Sequence, residues 1–139
     1  MATRKLRRWR DRGAAAVEFA LVMPLLVVLL LGIAEFGYAF FIQATVAGAA
    51  RVGVRNYAIN WSQASTEASA QITAKALAQS AVPTPADVTN QTFTPACTIA
   101  GGQTMLVITY RYHSLTGLFD GLIGSNVTIT GRGSMACGG

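Results

Sequence analysis

Charge is scarce in this chain once the first thirteen residues are passed, and what remains cancels. Residues 1–13 hold Arg4, Lys5, Arg7, Arg8, Arg10 and Arg12 against Asp11, which accounts for the whole formal net charge of +5. The rest carries five basic and five acidic side chains. It has no electrostatic footprint for nucleic acid or for an acidic substrate. Histidine is nearly absent: His113 has no second histidine with which to share a metal. Asp87 and Asp120 stand apart, with no paired-carboxylate spacing. No GxSxG elbow and no phosphate-binding loop occurs. The expectation is a protein that is not an enzyme, takes no cofactor or metal, and acts on no small-molecule substrate. Cysteine is limited to Cys97 and Cys137, too far apart in sequence for a CxxC motif. Beside a membrane or export signal they read as one disulfide in an oxidising compartment, the alternative being two unpaired buried thiols. Closing such a loop would contribute roughly 4 kcal/mol in the chain-entropy model.

What the chain has in abundance is apolar sequence. Phe19 to Ala34 reads FALVMPLLVVLLLGIA, without a charge. At ~1.5 Å per residue this is ~24 Å, short of a ~30 Å hydrocarbon core. Continuing through Glu35 to Ile42 lengthens the span to ~36 Å and places Glu35 near an interface able to solvate it. Phe36, Tyr38, Phe40 and Phe41 supply the aromatic residues expected there. The basic cluster stays in the cytoplasm by the positive-inside rule, so the chain beyond about residue 42 lies outside, anchored by a single pass in the cytoplasmic (inner) membrane. A cleaved secretory signal is the competing reading. Against it stand Glu18 at the basic–apolar boundary, an apolar run longer than an ordinary h-region, and no small-residue cleavage site after Leu31.

The stretch Arg12-Gly13-Ala14-Ala15-Ala16-Val17-Glu18-Phe19 carries the functional signal. A cut after Gly13 would make Glu18 the fifth residue of the mature protein. That resembles the signal of prepilins, which prepilin peptidase cuts on the cytoplasmic side, leaving the hydrophobic segment attached. Glycine before the scissile bond leaves the backbone free for an enzyme working beside the membrane. A carboxylate slightly inside the bilayer costs roughly 2.5–3.5 kcal/mol. Pairing Glu18 with the new amino terminus of a neighbouring subunit would offset that and set axial register. The wider pattern includes Gly13, Glu18-Phe19, Pro24, Glu35-Phe36-Gly37 and Ala49-Ala50-Arg51-Val52-Gly53-Val54-Arg55. Over about residues 12–58 it resembles the TadE-like family, pilin-like minor components of the tight-adherence (Flp-type) pilus machinery. Phe19 stands where the Flp-type pattern often has Tyr, and Ala14 where many type IV pilins begin with an aromatic residue or Met. The resemblance implies a minor pilin or pseudopilin with a cleavage site at Gly13 and Ala14, and Glu18 and Phe19 in assembly. It further implies prepilin peptidase, other pilins and pilus assembly proteins as partners, and a role in pilus biogenesis, adhesion or secretion. The alternative is an uncleaved bitopic scaffold or binding protein of the same envelope machinery.

Beyond the span, Gln43 to Ile59 is alanine-rich and free of proline, so one helix is expected from about 14 to 58. Ala44, Ala47, Gly48, Ala50 and Gly53 give it a small-residue surface that permits close helix approach, while Arg51 and Arg55 share a face that is either a solvated stripe or a contact for a neighbouring subunit or lipid headgroups. Ser62–Glu67 offers a cap for a second helix that ends near Ser80, ahead of Pro83 and Pro85. The composition then turns to Thr, Val and Gly. Val88–Phe93 reads as a strand. Thr104–Tyr112 is apolar on both faces over its first half and is expected to be central or covered; Val127 to Cys137 alternates as a half-buried strand. Gly117–Gly124 is an apolar, glycine-rich loop or short helix, expected to cover a sheet edge or to serve as a docking patch. The fold class is α+β: a long transmembrane helix continuing outside the membrane, a second helix, and a small antiparallel sheet, as in pilin-like heads. The expected division is a basic leader (1–13), the membrane and extended helix (14–58), and an extracytoplasmic head (59–139).

Overall fold

The computed structural model describes residues 4–117, 120–124 and 127–138, and shows the α+β architecture expected from the sequence. Helix α1 spans Arg4–Asn60, and helix α2 spans Glu67–Ser80. A 3-10 turn at Pro85–Asp87 leads into strands β1 (Val88–Phe93) and β2 (Gln103–Arg111). A short helix α3 (Asp120–Ile123) precedes β3 (Thr128–Ala136). By compactness the chain divides into Met1–Gly37 and Tyr38–Gly139.

The first unit is α1 alone. From Phe19 to Leu30 its large apolar side chains are exposed on every face, Leu21 at 74%, Leu25 at 72% and Val28 at 69%. No face is reserved for a protein core, so the helix needs an apolar solvent, and α1 is long and apolar enough to cross a membrane. This is a single-pass arrangement among the described residues. Pro24 removes one helical hydrogen-bond donor, and the helix continues through it, as membrane helices allow.

In the second unit the sheet is an antiparallel meander in the order β1-β2-β3, with β2 central as its two-faced apolar sequence requires. Phe93 pairs with Leu106, and Gly131 and Gly133 pair with Ile108 and Leu106. One face of the sheet, carrying Leu106, Ile108 and Tyr110, is buried with Ile42, Val46, Ala50 and Val54 of α1. The stretch from Tyr38 to Asn60, continuous in sequence with the membrane segment, thus forms the centre of this unit. Fully burying each Leu, Ile or Val there contributes about 1.5–3 kcal/mol as an upper estimate.

Two glycines decide how closely α1 lies on the sheet. A Cβ at Gly131 would stand 2.5 Å from the carbonyl carbon and oxygen of Val46, and one at Gly133 2.7 Å from the Arg51 nitrogen. Strand β3 therefore crosses the helix backbone directly, with no side chain between. Gly53 plays the same part on the helix, where a Cβ would meet Leu106 Cδ2 at 2.6 Å and Ala78 Cβ at 2.8 Å. The small residues of α1 are thus used inside the head: Ala50 and Gly53 are buried, whereas Ala44 is exposed.

Helix α2 starts where the sequence places a cap. Thr66 Oγ1 accepts from the Ser69 N–H at 3.2 Å, and Ser69 Oγ accepts from the Thr66 N–H at 3.3 Å, which satisfies two amide donors left open at a helix start. Its buried face is Ala70, Ala74 and Ala78, one per turn. That all-alanine stripe lets α2 close on Gly53.

Candidate functional site

The residues expected to form a cleavage site lie in the exposed part of α1. Gly13 and Ala14 are helical, and a Cβ at Gly13 would meet nothing within 4 Å. Ala14 and Glu18 are four residues apart and share a helical face. Glu18 is exposed, and Phe19 is 68% exposed. From Gly13 to Ala34 Glu18 is the sole charged residue.

Glu35 differs from the expectation that an interface solvates it: it is only 5% exposed. Around it Phe36, Phe40 and Phe41 are exposed, as the aromatic girdle requires.

The outer end of the head is organised by Tyr57, a residue the sequence reading did not single out. Tyr57 is fully buried, its hydroxyl donating to Glu67 Oε1 at 3.1 Å and accepting from the Cys97 N–H at 3.0 Å. Its ring packs on Phe93 with centroids 4.5 Å apart. One side chain thus ties the end of α1 to the start of α2, the edge strand and the disulfide loop. The available signal was a tyrosine in register with the small residues of the inward face: Ala50, Gly53, Val54 and Tyr57 follow the three- and four-residue spacing of a buried stripe.

Cys97 and Cys137 form the disulfide, 40 residues apart, with both cysteines buried. Backbone bonds surround it: the Gly101 N–H donates to Cys137 O at 2.8 Å, and the Gly138 N–H donates to Ala58 O at 2.7 Å. The second of these fastens the C-terminal strand to the last turn of α1.

His113 and Asp87, which looked isolated in sequence, meet at 3.1 Å. The register explains it, since Val88 opposite Tyr110 brings the start of β1 beside the end of β2. Asp120 Oδ1 accepts from the Ser114 N–H at 3.4 Å. Among the described residues no group of three or more His, Cys, Asp or Glu side chains could hold a metal ion. Arg51 and Arg55 are exposed. Of the apolar loop expected at Gly117–Gly124, Leu118 and Phe119 lie outside the described residues; the remainder includes the short helix α3.

The family model described as TadE-like protein matches residues 13–55. No curated protein and no solved structure matches the chain. The match begins at the glycine before the candidate scissile bond and ends at the second of the two exposed arginines. It takes in the apolar helix, the aromatic turn and the inward stripe on which the sheet lies. The segment from Gly13 to Arg55 is thus similar to the TadE-like protein family, as the sequence motifs suggest.

Proposed function

We propose that this protein is a minor pilin or pseudopilin of a tight-adherence (Flp-type) pilus system, held in the cytoplasmic membrane and cut after Gly13 by prepilin peptidase. The observation that carries the reading is the family match starting at Gly13, on a helix whose residues 14–30 are exposed and uncharged but for Glu18. Its action is structural and not catalytic. The apolar helix packs beside other pilins, Glu18 receives the freed amino group of a neighbouring Ala14, and the head contacts assembly partners. Glycine costs a helix about 1 kcal/mol relative to alanine, so Gly13 is a favourable place for α1 to open toward the extended form a peptidase binds. The basic leader supports a cytoplasmic N-terminus, and the buried disulfide supports a head in an oxidising compartment.

The test is the intact mass and N-terminal sequence of the protein from native membranes. A chain beginning at Ala14 is the expected result; persistence of residues 1–13 would sink the pseudopilin reading. A second reading, an uncleaved bitopic scaffold, draws on one observation: α1 runs unbroken through Gly13 back to Arg4. The same measurement separates the two.

A further inference from the structure

The two edges of the sheet differ. Strand β1 is six residues long, and its register with β2 slips between Val88 and Asn90. Helix α2 reaches it through Lys75, whose Nζ lies 6.0 Å from the centre of the Phe93 ring. Pro85 and Pro95 stand just beyond its ends. Short length, a bulge, a covering helix and proline are the usual means of closing a sheet edge. Strand β3 has none of these. It runs nine residues in unbroken register with β2, without proline and with Arg132 as its one charge.

The ladder shows which of its backbone groups are free. The Tyr112 N–H donates to Val127 O at 2.9 Å and the Cys137 N–H to Gly102 O at 2.6 Å, so 112–127 and 102–137 are hydrogen-bonded pairs. Such pairs recur at every second residue of an antiparallel ladder. The odd-numbered residues of β3 therefore bond β2, and Thr128, Thr130, Arg132, Ser134 and Ala136 turn their N–H and C=O groups outward. All five are exposed, and among the described residues no backbone group bonds them from that side.

Charge around this edge has one sign. Strand β3 lies on the flank of α1 that carries Arg51, since a Cβ at Gly133 would stand 2.7 Å from the Arg51 nitrogen. Arg55 follows one turn later on that flank, and both arginines are exposed. Gly53, on the opposite flank, meets Ala78 of α2. The acids of this unit are engaged elsewhere. Glu67 Oε1 accepts from the Tyr57 hydroxyl and from Gln71 Nε2, Asp87 meets His113, and Asp120 accepts from the Ser114 N–H. Among the described residues none of Arg51, Arg55 and Arg132 has a carboxylate partner.

We propose that the free edge of β3 binds an extended acidic segment of another protein by strand addition. The outward N–H and C=O groups of β3 supply the ladder, and the guanidinium groups supply the selection. Acids on one face of the added strand pair with Arg132, and those on the other stand over Arg51 and Arg55. A second β3 is a poorer occupant. Antiparallel pairing about its middle residue would set Arg132 against Arg132, and like charges directly opposite are destabilising. The inference rests on the head alone, and on neither processing after Gly13 nor the pilus reading.

The test titrates the full chain in detergent micelles with a fluorescein-labelled peptide of alternating glutamate and valine, followed by anisotropy. Saturable binding is expected, and lysine in place of glutamate, or methyl groups on two successive central amides, should abolish it. Thr130→Pro deletes an outward donor and spares the ladder with β2; it should weaken binding about tenfold. Arg132→Glu should weaken binding about fivefold and let the lysine peptide bind instead, a gain that an unfolded variant could not show. Near-ultraviolet circular dichroism and migration on a non-reducing gel check the fold and disulfide of each. Absence of binding, or equal binding by the parent and both variants, would overturn the proposal. A dimer of the free parent that Thr130→Pro dissolves in sedimentation equilibrium would also overturn it and make a second copy the occupant.

Discussion

Replacing Gly131 by alanine tests the idea that the head is assembled around a bare helix–strand crossing. The added Cβ would lie 2.5 Å from two backbone atoms of Val46 and 2.7 Å from the Ala47 nitrogen. Ordinary carbon contacts lie near 3.5–4.0 Å, so α1 and β3 must separate by about 1 Å. No flexible side chain is there to yield. A gap of that size forfeits a quarter to a half of the dispersion energy of the contacts it opens. Those contacts include Val46 and Ala50 against Leu106 and Ile108, the middle of the core. Overpacking costs typically 1–3 kcal/mol, and the rigidity of both partners places this case near 3. For a domain of about 100 residues, each kcal/mol moves the midpoint by roughly 4–8 °C, so a loss of at least 10 °C is expected. Gly48→Ala supplies the control. Its Cβ would meet nothing within 4 Å, and alanine in a helix interior is favoured by about 0.5–1 kcal/mol. The same chemical change should therefore destabilise at 131 and mildly stabilise at 48. Thermal unfolding of the full chain in detergent, followed by near-ultraviolet circular dichroism, reads both. A Gly131→Ala protein as stable as the parent would refute the crossing geometry.

Tyr57→Phe removes the acceptor of the buried Cys97 N–H and should cost about 1–3 kcal/mol in the same assay; an unchanged midpoint would show that water replaces the hydroxyl. Opening the disulfide with the Cys97→Ser, Cys137→Ser pair should cost up to about 4 kcal/mol from loop closure, measured as increased cleavage of the head by protease; equal resistance would mean the helix–sheet core suffices. Gly13→Leu should leave residues 1–13 attached in cells with prepilin peptidase, and normal trimming, seen by intact mass, would contradict the proposed site. Glu18→Ala should preserve trimming but reduce assembled pili by immunoblot of sheared surface fibres; undiminished pili would remove its role in register.

Much of this protein is written in local sequence because local physics decides it. Sixteen uncharged residues after a basic cluster suit a membrane span. Thr66 and Ser69 fix the start of α2, and Val88–Phe93 is a strand in sequence and in structure alike.

What the tertiary structure alone decided depends on contacts between distant segments. The small residues of α1 announced a close approach, but not that β3 and α2 would fill it, because periodicity shows a face and never its partner. Glycines at 131 and 133 gave a signal, an absence of side chains on the buried face of a strand, whose meaning required Val46 and Ala50 to be opposite. Tyr57 became a hub only when folding brought Glu67 and the Cys97 amide to its hydroxyl. His113 met Asp87 through strand register. Sequence determines what each segment can tolerate, because solvation and backbone preference act residue by residue. Which segments meet is settled by packing, where one missing Cβ allows a helix to lie on a strand.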